Sequence, residues 1–505
     1  MVRKLIRVRF LILFIFSINL FASTLHLATS ANPSRLNPIL ATDSSSSEIA
    51  GFIFNGLVKY DKDNATIIGD LASKFYFKND KTLIFKLRKN VTWHDGKPFD
   101  AKDVVFTYEV LTSSKISSPY SAGFRFVKEV NIIDDYTIEV IYKKPYFKAL
   151  ETWMMGIIPE HILKDEQNLM SASFNTKPIG TGPYKLYQLE HSKNIILRAN
   201  DDYFEGRSKI DEISFHVIAD AMTRFLMLKS GELDIGSVDP MQYERQLTPK
   251  FFEQFNIYEK ITHSYTYLGF NLRLEKFKNP KVREALSLAI DREELMQILF
   301  FNHAKVCTGP FLPSSIAFNE DVKAPTLDIQ KAKQLLKEAG YDEQNPFTFE
   351  IVTSNSNTIR PYAAEILQHQ LKKIGVVVNL RVMEWQAFLN MVVFPHKFDS
   401  VLLGWGLSPT PDPYMFWHSD NDKQGGFNLV GYHDAKMDKM IEESQEIIDR
   451  KKLAKIWQEM FKMITDENPY LFLYIPNSIT VVSKKLKNVQ NSPSGIWHNY
   501  IEWEK

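Results

Sequence analysis

Cysteine is nearly absent: Cys307 is the only one in 505 residues. A lone thiol cannot close an internal disulfide or complete a multi-cysteine zinc site. Standing far from the N-terminus, it cannot carry a lipid at a signal-cleavage site either, so the chain is expected not to be a lipoprotein. Excess charge is missing too, with 61 Lys and Arg against 60 Asp and Glu, which argues against a nucleic-acid binder. The hydrophobic and charged fractions, 44% and 24%, are those of an ordinary globular chain and argue against extensive disorder and a polytopic membrane protein. Catalytic signatures are lacking: there is no G-x-S-x-G elbow, H-E-x-x-H helix, G-x-x-x-x-G-K-S/T loop or C-x-x-C pair. The expectation is a protein that is not an enzyme and holds no cofactor or metal.

The first 22 residues form a separate segment. Arg3, Lys4, Arg7 and Arg9 precede an apolar run from Phe10 to Phe21. That run falls short of the roughly 20 apolar residues that span a bilayer and suits a signal-peptide core. Residues 1–22 are therefore read as a secretion signal, although Leu20 stands where a small residue is usual; an uncleaved anchor is the alternative. The mature chain is expected free in the periplasm. One core stops growing at about 250–300 residues, so at least two lobes are expected.

Alternation at Leu25 and Leu27 before a Ser-Ala-Asn-Pro turn signals a short strand. In 82–111, Leu83, Phe85 and Leu87 give a half-exposed strand, and Asp100 caps a helix carrying Val104, Val105 and Tyr108. Residues 130–140 read as a hairpin. The Gly-x-Gly of PIGTGPY (178–184) is followed at once by Pro183, so it reads as a tight crossing between lobes rather than a phosphate loop. A helix over 221–231 ends at Gly231. From Tyr265 a strand, a helix begun by Pro280 and a second helix bracketed by Asp328 and Gly340 follow. Strand 347–353, helix 359–374, strand 376–383, helix 385–393 and strand 400–405 then alternate. That β-α-β-α-β order is the pattern of an open α/β sheet whose strand ends face a ligand cleft, with Asn355 and Trp405 at two of those ends. A long helical pattern, 436–466, and a strand, 470–475, complete the second half.

The stretch FDSVLLGWGLSPTPDPYMFWH (398–418) reads as a buried strand emptying into a stiff, aromatic loop with one acid, Asp412. Such a loop suits holding a small molecule better than attacking it. Among Tyr265, Tyr267, Trp385, Trp405, Tyr414 and Trp417, core packing competes with ligand contact, and contact is favoured at Trp385 and Trp405. His94-Asp95 before Gly96 reads as a turn, and Glu160-His161 as a helix start. For His418 a hydrogen-bonding role is preferred over metal binding, since no second His lies at ligand spacing.

Several stretches carry a family resemblance: LRKNVTWHDGKPFDAKDVVFTYEVL (87–111), PIGTGPYKL (178–186), NPKVREALSLAIDREEL (279–295), and LLGWGLSPTPDPYMFWHSD (402–420) with GYHDAKMDKMIEESQEIIDRKKL (431–453). In order and over nearly the whole mature chain, they resemble the periplasmic solute-binding proteins of dipeptide and oligopeptide ABC importers, the peptide/nickel class.

The resemblance implies an α/β fold of two lobes that close like a hinged trap, with an extra α+β subdomain in the first. The expected division is 23–50, 173–264 and 476–505 for the first lobe, 51–172 for the extra subdomain and 265–475 for the second lobe. It implies a monomer that captures a peptide and delivers it to a membrane permease with its ATPase. By position, Trp385 and Trp405 match aromatics that wall peptide side-chain pockets, Tyr265 and Tyr267 fall near the crossing strands, Tyr120 in the subdomain and Asn32 in the first cleft loop. Two departures stand out. Members that pair the peptide ammonium with an Asp three residues after this Trp have Ser408 as counterpart here, with the acid later at Asp412. No Arg occupies 354–357, where dipeptide binders clamp a carboxylate, so an oligopeptide is expected over a strict dipeptide. The same fold takes nickel complexes and oligosaccharides; a hydrolase or a periplasmic folding helper is the alternative from another class.

Overall fold

The computed structural model describes residues 23–505 apart from 63–65, 114–115, 117, 424–425 and 493–494. The expected secretion signal, 1–22, lies outside the described residues. No described helix is long and apolar enough to cross a membrane.

Strand β1 (Thr24–Thr29) buries Leu25 and Leu27 on one face, as their alternation predicts. After a helix, Ser44–Ile53, whose first turn is capped by Asp43, a short pair β2 (Val58–Tyr60) and β3 (Ile67–Gly69) leads into an antiparallel sheet. That sheet comprises β4 (Ala72–Asn79), β5 (Thr82–Leu87), β6 (Val127–Asp134) and β7 (Thr137–Tyr142), in the order β4-β5-β7-β6. Strand β5 is central and almost wholly buried rather than half exposed, because β4 and β7 flank it. The helix Ala101–Thr112 starts with a capping box between Asp100 and Asp103. Strands β8 (Tyr184–Glu190), β9 (Asn194–Ala199) and β10 (Glu212–Val217) then return to β1, which pairs in parallel with β10.

The remaining strands, β11 (Ile235–Val238), β12 (Phe255–Ile261), β13 (Ser264–Phe270), β14 (Ala304–Val306), β15 (Thr348–Ser354), β16 (Val377–Met383), β17 (Ser400–Gly406) and β18 (Tyr470–Ser483), form one eight-stranded system. Strand β18 ties it together. Residues 470–474 pair with β13, whereas 477–483 pair with β12 and 479–482 with β11. The strand expected over 470–475 thus runs on through Pro476. Proline is tolerated there because only its carbonyl is called on, accepting from Thr262 N at 3.0 Å and Thr262 Oγ1 at 2.8 Å. The architecture is two-lobed α/β, with one sheet built on β1 and β8–β10 and another on β13, β15 and β17.

Two further expectations are corrected. The 436–466 pattern is two helices, Ala435–Ser444 and Arg450–Glu467, because Asp449 caps the second by accepting from Lys451 N and Lys452 N. The break frees the carbonyl of Gln445, which accepts from Phe147 N at 3.1 Å across the molecule. PIGTGPY does not cross between lobes; it packs on the C-terminal end of Ser44–Ile53. Gly182 N donates to Ile53 O at 2.8 Å, and a Cβ on Gly180 would stand 1.9 Å from that oxygen.

Candidate functional site

Strand β15 lies between β16 and β17 and runs parallel to both. The chain steps from β15 to β16 on one side and then to β17 on the other, so a crevice opens where the C-terminal ends of β15 and β17 part. Asn355 and Trp405 stand at those ends. Asn355 is exposed, its N–H donating to Met383 O at 3.0 Å. Trp405 is half buried, and its indole N–H donates to the Tyr470 hydroxyl at 3.4 Å. Next to it, Gly404 leaves room for Arg360: a Cβ would meet the guanidinium at 2.5 Å. The Arg360 Nε is buried without a hydrogen-bond partner among the described residues, and burial pulls the group's pKa down.

Beneath Trp405 lies an aromatic nest. Tyr267 stacks on Tyr470 at 3.9 Å and 11° and, more loosely, on Trp405 at 6.2 Å, while Phe416 and Phe427 pack on Trp405 at 4.7 and 5.6 Å. Tyr265 sits opposite Trp405 in the β13–β17 ladder. Tyr265 and Tyr267 are fully buried, and burial holds both phenols well above their ordinary pKa.

From Gly406 the loop turns towards Arg125. Asp412 is 7% exposed: Oδ1 accepts from Tyr414 N at 3.1 Å, capping Pro413–Trp417, and Oδ2 lies 3.7 Å from the Arg125 guanidinium. Between this loop and the segments 38–60 and 120–156 is a cavity of about 530 Å³. Helix Ser44–Ile53 contributes Ser47, Ala50 and Gly51; the segment 120–156 contributes Tyr120, Tyr146, Lys148, Glu151 and Met154; the loop closes it with Ser408 and Thr410. Its volume lies in the range of small-ligand sites, about 300–1,000 Å³.

Charge crosses this cavity. Arg450 bonds Glu151 at 2.9 Å and reaches the Thr410 hydroxyl at 3.2 Å. Burial lowers the Lys148 amine's pKa against the pull of Asp412 and Glu151. Burial pushes the Tyr146 phenol up to about 12 despite Arg125 nearby. The apolar contact across the same seam is Phe147 edge-on to Trp457 at 5.4 Å.

Of the residues singled out from sequence, only Tyr120 lines the cavity directly; its hydroxyl approaches Ala41 O at 3.5 Å. Trp405, Tyr265 and Tyr267 are brought together in the nest, and Asp412 stands at the seam between Arg125 and its own helix. Trp385 is half buried at the end of β16, with its ring 6.0 Å from Phe388. Asn32 is bonded to the β8–β9 turn, accepting from Ser192 N at 2.7 Å and donating to its hydroxyl at 3.3 Å. His418 is buried, stacked on Tyr414, with Nδ1 accepting from Asp420 N at 3.1 Å and Nε2 3.4 Å from Glu442. Sequence reasoning missed Tyr60, Tyr146, Lys148, Glu151 and Arg450. The available signal was KKPYFKALETWMMG (143–156), where aromatics and charges mix without a helical or strand period.

Residues 66–427 match the bacterial extracellular solute-binding proteins, family 5 (middle). The oligopeptide-binding protein AppA of Bacillus subtilis (strain 168) is 32% identical over 493 residues, covering 93% of this chain and 89% of the relative. Its structure with a nonapeptide superposes with a TM-score of 0.76, covering 95% and 98% of the two chains. NikZ of Campylobacter jejuni, solved with Ni(L-His), gives 0.79 at 28% identity over 95% and 99%. DppA of Helicobacter pylori, solved with the peptide STSA, gives 0.75 at 27% over 96% and 98%. The two-lobed fold, the crevice at the parting of β15 and β17, and this likeness along the chain agree: the protein belongs to the bacterial extracellular solute-binding proteins, family 5.

Proposed function

We propose that this protein is the periplasmic peptide-capturing component of an ABC importer. The observation that carries the reading is the cavity walled by residues 38–60 and 120–156 on one side and by Ser408 and Thr410 of the second lobe on the other. A chamber walled by both bodies exists only while they are together, so a ligand that fills it stabilises the closed form by its differential affinity for that form. The division proposed is 23–50, 173–264 and 476–505 as the first lobe, 51–172 as the inserted subdomain and 265–475 as the second lobe. Relatives solved with a nonapeptide and with STSA support a peptide as the ligand class.

In this reading an extended peptide lies along the crevice past Asn355 and Trp405, its side chains meeting Trp405 and Tyr120, with Tyr265 and Tyr267 supporting the floor. Trp385 and Asn32 would act at the margins. Asp412 would receive an ammonium by sharing or exchanging its contact with Arg125, since a charge buried unpaired costs several kcal/mol. The closed, loaded monomer would then be recognised by the permease and its ATPase after export directed by residues 1–22.

Native mass spectrometry of the mature protein purified without denaturation, followed by thermal-shift titration with peptides of two to eight residues, tests this. A heterogeneous set of bound peptides, and a melting temperature that rises with added peptide, are expected. A single bound sugar or metal complex, or no response to any peptide, would overturn the ligand class.

A further inference from the structure

Five charges from the two sides of the seam gather around the cavity: Arg125, Lys148 and Arg450 with Asp412 and Glu151. Two pairs are closed, Arg125 with Asp412 at 3.7 Å and Arg450 with Glu151 at 2.9 Å. Lys148 is left over. Among the described residues its amine has no ion pair or hydrogen bond, and it lies 5.6 Å from the centre of the Phe147 ring. The Tyr146 hydroxyl likewise donates to no described residue, and both side chains line the cavity. Two donors, one of them cationic, therefore line a partly desolvated space in which the carboxylates of Asp412 and Glu151 are already engaged by Arg125 and Arg450. Burial works against the ammonium there, the pull of Asp412 and Glu151 offsets it only in part, and an anion in direct contact would complete the pairing.

We propose that the cavity carries a subsite for a carboxylate of the bound ligand, held by the Lys148 ammonium and the Tyr146 hydroxyl; this rests on the peptide reading above. The carboxylate is either an acidic side chain or the peptide's C-terminus. Lys148 gains the counter-ion it lacks, and the phenol, kept protonated by burial, donates the second hydrogen bond.

The probes are alanine-based tetrapeptides with one Glu or one Gln at each successive position, each made as the C-terminal acid and the amide. Dissociation constants are measured by calorimetry for the wild type, Lys148→Met and Lys148→Arg, with thermal melts of the free proteins checking that each variant folds. The wild type should prefer the charged member of a pair by about ten- to a hundredfold, the span of a hydrogen bond to a charged group. Lys148→Met should abolish that preference while still binding the neutral peptides, and Lys148→Arg should keep most of it. A preference for Glu over Gln assigns the subsite to a side chain; one for acid over amide assigns it to the C-terminus. Equal affinities in the wild type, or a preference that survives Lys148→Met, overturn the subsite and leave the peptide reading standing. If no peptide binds the wild type, the peptide reading falls and the subsite with it.

Discussion

The aromatic nest under Trp405 and the chamber beside Lys148 meet along one loop, yet they are built on opposite principles. The nest is full. Tyr267 and Tyr470, 0% and 1% exposed, stack at 3.9 Å, and the polar atoms enclosed with them are few: the Trp405 N–H on the Tyr470 hydroxyl, and the buried Tyr267 hydroxyl. The chamber is hollow, about 530 Å³, and its walls carry ion pairs between segments distant in sequence, Glu151 and Arg450 lying 299 residues apart. A filled, uncharged stack on three neighbouring strands holds its shape without ligand. A hollow, charged seam depends on what enters it. On the peptide reading proposed above, the nest would set position and the chamber selection.

If that contrast holds, Tyr267→Ala should damage the fold first. Emptying a fully buried aromatic site costs about 3–5 kcal/mol, read as a lower urea midpoint, with weaker binding only as a consequence. An unchanged midpoint would mean that the nest is looser than its stacking implies. Trp405→Ala should invert the balance. Its ring is half buried and roofs the nest, so stability should fall less, while peptide affinity should fall by about 2 kcal/mol, roughly thirtyfold, as for an aromatic anchor. Equal losses of stability and affinity would erase the distinction between floor and wall.

Arg450→Met addresses the seam. Glu151 is 10% exposed in its side chain, and its Oε2 already lacks a partner. Removing Arg450 leaves the carboxylate unpaired, at a cost of about 1–2 kcal/mol. Adding Glu151→Gln should recover much of it, since the second change removes the stranded charge. No recovery in the double variant would show that Arg450 acts through Thr410 instead.

The nest was partly legible in sequence, and the chamber was not. The run into Gly404-Trp405-Gly406 announces a strand emptying into a loop, and Asp100, Pro280 and Asp328 mark helix starts that the structure places at those positions. These signals are local: a cap or an apolar run acts on its own neighbours. Strand β13 already exceeds them, being buried at six of its seven residues in a central position between β17 and β18. Lys148 shows the limit. Nothing in KKPYFKALETW distinguishes it from a solvated lysine; only the loop folding back from residue 408 makes it a cavity cation.

Alkaline titration sharpens the comparison with the smallest effect, because one group from each region, Tyr267 and Lys148, should respond with opposite sign. In the nest, burial raises the Tyr267 pKa well above 10.0 and that of Tyr470 to about 12. Above about pH 10 the unfolded tyrosines lose protons that the folded ones keep, so their contribution, fully present below 10, is lost as pH rises. In the chamber, burial lowers the Lys148 amine below 10.5. Between its folded pKa and 10.5 the unfolded state binds more protons, so that group alone makes stability rise with pH. Urea unfolding from about pH 8 to about pH 11 should therefore separate two variants whose differences from wild type stay under about 1 kcal/mol. Tyr267→Phe removes one group that loses stability and should decline less steeply than wild type. Lys148→Met removes a compensating gain and should decline more steeply. Parallel curves for all three proteins would mean that Lys148 is as well solvated as a surface lysine. The chamber would then be open to water rather than poised for a ligand.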